Sequence, residues 1–162
     1  MEMNIRKVNS GDSDCVAGLF DRYRVFYRQP SDIGLARKYI KERLANQESI
    51  IFAAWVEEEN EAMPVGFTQL YPNYSSVRAV RNWTLNDLYV EPAYRCRKIG
   101  AALIRAAMDF ARQEGAWFLE LQTTTDNSIA QDLYERIGFI KQPPDTDFFT
   151  YRLSLTIQNQ QS

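Results

Sequence analysis

Apolar positions along the chain fall into two rhythms, one repeating every second residue and one every third or fourth, and the two alternate from end to end. Residues 4–8 read as a short strand. Ser10 or Asp12 can cap a helix whose apolar stripe is Val16, Leu19, Phe20, Tyr23 and Phe26 or Tyr27. Gln29-Pro30-Ser31-Asp32 breaks it and can cap a second helix carrying Leu35, Tyr39, Ile40 and Leu44. Residues 49–56 (SIIFAAWV) read as a buried strand, 57–61 as a charged turn and 64–71 as the returning strand of a hairpin. Residues 72–82 are a loop or a strand extension, and 83–90 are the next strand, ended by Glu91-Pro92. Ile99, Leu103, Ala107 and Phe110 then recur at helical spacing to about residue 113, and Gly115 stops that helix. Residues 116–123 read as a strand, and Asp126 or Asn127 caps a helix that runs through Ile137 to Gly138. Residues 139–140 and 148–157 predict two last strands, with Pro143-Pro144 between them, before a polar tail over 158–162.

This order predicts one α/β (α+β) domain over residues 1–157: a mixed, mostly antiparallel sheet of about seven strands with helices on both faces.

Composition narrows the chemistry. A net charge of −2 leaves no basic field for nucleic acid. No apolar run approaches the ~18 residues that cross a bilayer. The start has no signal-peptide pattern, and Cys15 and Cys96 make no metal spacing. The expectation is a reduced, cytoplasmic protein with no metal and no membrane partner. The chain has no histidine, which removes Ser-His-Asp and Cys-His nucleophiles, HExxH zinc sites and imidazole acid–base catalysis. Proton transfers would fall to carboxylate, tyrosine, backbone or water.

Arg95, Arg97 and Lys98 stand between the strand at 83–90 and the helix after it. Cations at a helix N-terminus are unfavourable by a few tenths to ~1 kcal/mol each. An anion held there by free N–H groups, the helix dipole and the three charges would reverse that sign. The pattern points to a phosphate at the carboxyl end of a strand.

Two motifs then resemble the GNAT superfamily of N-acetyltransferases. One is Leu85-Asn86-Asp87-Leu88-Tyr89-Val90-Glu91-Pro92 followed by Arg95-x-x-Lys98-x-Gly100, where the family pattern is Q/R-x-x-G-x-G/A. Arg95 and Gly100 match, and Lys98 replaces the first glycine. The other is Asn127-x-x-Ala130-x-x-Leu133-Tyr134-x-x-x-Gly138-Phe139. The wording at 86–90 also resembles the branch acetylating polyamines, other diamines and histone-type amines. Lys98 is expected in ordinary helical geometry, adding charge, with weakened phosphate binding as the alternative.

The resemblance implies acetyl-CoA as co-substrate. Its pyrophosphate would lie on Arg95, Arg97, Lys98, Ile99, Gly100 and Ala101, and its pantetheine arm beside Leu88, Tyr89 and Val90, reaching Asn127, Ala130 and Tyr134. Tyr134 would be the general acid, or only the aromatic of a helical stripe. Asp87 is the nearest strand carboxylate for a base, with Glu120 and a water chain as competitors. Asn86 and Asp87 are expected on opposite faces of their strand. Tyr27, Asn86 and Glu120 are candidate acceptor contacts, and Tyr23 and the tyrosines at 71 and 74 are possible groove walls. The implied activity is acetyl transfer to a primary amine of a small molecule. A protein lysine or N-terminus, or a non-catalytic acyl-CoA-binding module, is the alternative. A homodimer is expected by analogy only.

Overall fold

The computed structural model describes residues 2–156, which fall into two compact units divided between Asn127 and Ser128. The first contains β1 (Glu2–Lys7), α1 (Ser13–Phe26), α2 (Ile33–Ala45), β2 (Ile50–Glu58), β3 (Glu61–Ser75), β4 (Val80–Val90), α3 (Ile99–Gln113) and β5 (Leu119–Glu120). The second contains α4 (Ser128–Ile137). The strands form one sheet in the order β1-β2-β3-β4-β5. The first four are antiparallel, and β5 joins β4 in parallel.

The sheet separates two apolar layers. Val16, Leu19 and Phe20 of α1 and Ala36 and Ile40 of α2 pack on Ile51, Ala53, Phe67 and Tyr89. Ile99 and Leu103 of α3 pack on Ala54, Val56 and Val65 across the opposite face. Phe110 extends this second layer, 5.1 Å from the Trp83 ring and 6.0 Å from Phe52. Burying each of these large side chains contributes roughly 1.5–3 kcal/mol. Gly66 lets α3 come this close. A Cβ there would stand 2.9 Å from the Tyr89 carbonyl and within 3.4 Å of Val90 and Leu103 side-chain atoms.

Capping follows the sequence at α2, where the Asp32 carboxylate accepts from the Leu35 N–H at 3.0 Å. Asp21, buried in α1, reinforces the junction by accepting from Ser31 Oγ at 2.7 Å and from the Asp32 N–H at 2.8 Å. These two bonds hold its carboxyl below the usual aspartate range.

Of the two readings of residues 72–82, strand extension holds for most of the segment, because β3 and β4 pair on to Ser75↔Val80. Three expectations change. The strand expected over 116–123 shrinks to Leu119–Glu120, since Asn82 Oδ1 takes the N–H groups of Trp117 and Phe118 before the ladder begins. The sheet has five strands among the described residues, not seven. Neither 139–140 nor the described part of 148–157 is strand, and Ile157 lies outside the described residues. Local turn bonding takes over there: Asp145 Oδ1 accepts from the N–H groups of Asp147 and Phe148. Finally, Phe26 and Tyr27, at the end of the α1 stripe, are exposed.

Candidate functional site

β4 is paired with β3 along its length, but with β5 only at Trp83↔Leu119 and Thr84↔Glu120. Residues 85–90 therefore have no β5 partner, and the two parallel strands form a fork closed at Thr84. At ~3.3 Å per residue the open edge is about 17 Å long. An extended segment could pair along it, as in strand addition.

α3 begins just beyond the open end of this edge. Lys98 precedes it with φ 63° and ψ 12°, in the left-handed region, and no side chain caps the helix. Cys96 is left-handed as well, at φ 62°. The expectation of helical geometry at Lys98 is thus corrected: the backbone keeps the conformation a glycine would adopt, at a cost of roughly 1–2 kcal/mol. The reason is the turn itself, which must swing the chain from β4 into α3 within the few residues after Tyr94. The first intrahelical bond runs from the Ala102 N–H to the Lys98 carbonyl at 3.1 Å. The N–H groups of Ile99, Gly100 and Ala101 precede it and have no helical acceptor, so the helix start is a donor cradle for an anion.

The three cations differ. Arg95 donates from Nε to the Val90 carbonyl at 2.9 Å and lies over the Phe26 and Tyr89 rings. It braces the turn against α1. Arg97 lies over the Tyr94 ring, 5.3 Å from its centre. Lys98 is exposed.

At the closed end of the fork β4 carries a bulge. Gln69 pairs with Asp87 and Leu70 with Leu85, leaving Asn86 as the extra residue. The bulge resets the alternation. Asp87 and Tyr89 lie opposite Gln69 and Phe67 on the α1–α2 face, and Leu88 and Val90 pack with the α3 layer. Asn86 is exposed, and Asp87 is 3% exposed. Gln69 Nε2 donates to Asp87 Oδ2 at 2.5 Å, and Asn86 Nδ2 donates to Asp87 Oδ1 at 2.9 Å. Ser49 Oγ donates to Gln69 Oε1 at 2.8 Å. Next along this face, the hydroxyls of Tyr39 and Tyr71 are 2.6 Å apart. Burial first, then Tyr39 and the Asp87 charge, push the Tyr71 hydroxyl well above the ordinary phenol range, so it stays protonated.

Leu88, Tyr89, Val90, Arg95, Arg97, Lys98, Ile99, Gly100 and Ala101 are thus contiguous along one edge and turn, with Asn86 and Asp87 at its inner end. Glu120 closes the fork and accepts from Asn73 Nδ2 at 2.8 Å. Tyr27 is exposed beyond α1 and packs on Tyr23 and Phe26. Asn127 ends the first unit, its N–H donating to the Thr124 carbonyl at 3.1 Å. Ala130 and Tyr134 lie on α4 in the second unit, where the Tyr134 ring is 6.0 Å from Phe139. Ser49 and Gln69 were not singled out from the sequence. The available signal was a lone glutamine inside the apolar strand at 64–71.

An open strand edge thus leads to a left-handed, uncapped helix start. The chain belongs to the acetyltransferase (GNAT) family, whose profile matches residues 16–139. It is similar to the "Uncharacterized N-acetyltransferase YhfO" of Bacillus subtilis (strain 168), with 46% identity over 153 residues, 94% of this chain and 98% of that one. A "Probable acetyltransferase" of Haemophilus influenzae is 32% identical over 108 residues, 67% of this chain and 72% of that one. A solved "probable acetyltransferase" superposes with a TM-score of 0.82 at 34% identity, covering 96% of this chain and 99% of that one. The chain is an acetyl-CoA-dependent N-acetyltransferase. The resemblance to a polyamine or histone branch is not carried by these relatives, and acetyltransferase is the level they share.

Proposed function

We propose that the chain acetylates a primary amine of a small molecule by direct transfer from acetyl-CoA. One observation carries this reading: the uncapped, left-handed start of α3 at the end of a β4 edge left open over residues 85–90. The N–H groups of Ile99, Gly100 and Ala101, with Arg97 and Lys98, would hold the diphosphate. The β4 edge around Leu88, Tyr89 and Val90 would hold the arm, and the family resemblance also assigns co-substrate contacts to Asn127 and Ala130. Acetyl-CoA supplies an activated acetyl group.

The chain's own residues manage the protons. An alkylammonium of ordinary pKa costs ~4–5 kcal/mol to deprotonate at neutral pH. Asp87 is the proposed acceptor of that proton. Its burial favours relay through a water over direct contact. Tyr134 is the proposed donor to the departing thiolate, since a phenol's ordinary pKa of ~10 lies near a thiol's. Carboxylates at Asp87 and Glu120 and the neutral Tyr71 hydroxyl suit a cationic acceptor.

The test is thiol release from acetyl-CoA with 1,4-diaminobutane, Nα-acetyl-lysine, a 2-amino sugar and a lysine-bearing peptide. Faster turnover on one of the small amines than on the peptide supports the reading. Preference for the peptide, or CoA binding with no turnover on any of the four, refutes it.

A further inference from the structure

The bulge residue Asn86 is held from behind by a buried polar chain. Ser49 is 3% exposed, Gln69 is 0% exposed and Asp87 is 3% exposed. Their bonds leave no freedom in which way each amide faces. A carboxylate only accepts, so both amides must turn their NH₂ groups to Asp87. Gln69 then presents Oε1 to Ser49, whose hydroxyl donates to it at 2.8 Å. Asn86, having given Nδ2 to Asp87 Oδ1 at 2.9 Å, presents its carbonyl oxygen away from the carboxylate. Asn86 is exposed, and among the described residues its Oδ1 accepts no hydrogen bond. It stands between Leu85 and Asp87, two residues from the pair that closes the fork.

A single acceptor oxygen, locked in direction and placed at the inner end of the open edge, is suited to receive an N–H. We propose that Asn86 Oδ1 is the group that orients the acceptor amine, and that Ser49 and Gln69 are positioning residues that act through Asp87 to aim it. This deepens the proposed acetyl transfer and rests on it for the identity of the acceptor. It explains why three polar side chains are buried, one just before β2 and the others among the apolar residues of β3 and β4. Unsupported, the Asn86 amide could rotate and present NH₂ groups to the amine, which a donor cannot bind. The aiming also favours an acceptor with N–H groups over one offering only lone pairs.

The experiment is a double-mutant cycle on the small amine with the highest turnover, reading the amine KM and the acetyl-CoA KM separately. Asn86→Ala and Ser49→Ala are each expected to raise the amine KM about tenfold and to leave the acetyl-CoA KM within twofold. Ser49→Thr, which keeps the hydroxyl, is expected to retain the wild-type amine KM. In the Asn86→Ala background, Ser49→Ala is expected to raise the amine KM no further. Additive effects, an unchanged amine KM, or equal rises in both KM values would overturn the proposal. Loss of Asp87 as proton acceptor reads out differently, in kcat and its pH profile. If no amine turns over, the acetyl-transfer reading fails on its own, and the aiming chain is judged by NMR of the Asn86 side-chain amide. Slow exchange of that NH₂ group with solvent, accelerated by Ser49→Ala, supports the chain. Exchange at the rate of a free surface amide in the unmutated protein overturns it.

Discussion

Replacing Lys98 with alanine and, separately, with glycine separates backbone strain from charge at the start of α3. Both changes remove a cation from the positive end of the helix dipole, and each should stabilise the ligand-free protein by ~0.3–1 kcal/mol on that account. Alanine keeps a Cβ at φ 63° and so keeps the strain. Glycine releases roughly 1–2 kcal/mol of it. Glycine also gives the unfolded chain more freedom, which takes back roughly 0.5–1 kcal/mol. The glycine variant should therefore exceed the alanine variant by about 0.5–1 kcal/mol, or about 1–4 °C in Tm for 162 residues. Urea and thermal unfolding without coenzyme measure this. A helical Lys98 predicts the opposite order, since glycine inside a helix costs ~1 kcal/mol against alanine. An alanine variant as stable as the glycine variant, or more so, would refute the assignment of strain to this position.

Tyr134→Phe should lower kcat by roughly 10²-fold or more while acetyl-CoA affinity stays near wild type, measured by steady-state kinetics and calorimetry. Unchanged kcat would remove Tyr134 as the acid. Gly66→Ala should cost ~1–3 kcal/mol, because the new methyl on β3 meets the Tyr89 carbonyl of β4 at 2.9 Å and crowds Leu103 of α3. Denaturant unfolding reads the loss, and a neutral result would mean that the sheet can yield there. Asp21→Asn should cost about 1–2 kcal/mol at pH 7 by weakening the bonds to Ser31 and Asp32. The folded carboxyl titrates below the unfolded value of ~3.9, so its stabilisation is complete above that value and fades as pH falls through the folded one. Wild-type and variant stabilities should converge below about pH 4, and a pH-independent gap would contradict this.

The helices and central strands were legible because their apolar spacing and stop signals agree. Asp32 caps α2 as its type suggests, and Ile99, Leu103 and Ala107 are buried at the spacing that marked them. The bulge at Asn86 was not legible. It depends on how β4 registers with β3, and nothing local marks it. Asp87 consequently lies on a face that simple alternation could not assign. Lys98 misled for a related reason. Lysine has no preference for positive φ, and here the turn from β4 into α3 imposes it. Phe148, Phe149 and Tyr151 have strand propensity, but among the described residues they pair with no strand, and propensity alone does not make one.

The most direct measurement follows backbone amide resonances as CoA, and then pantetheine without its diphosphate, is titrated into the protein. Ile99, Gly100 and Ala101 should shift strongly with CoA and hardly with pantetheine, whereas residues 88–90 should respond to both. CoA that binds and leaves the α3 amides unmoved would contradict the assignment of this helix start as the diphosphate site.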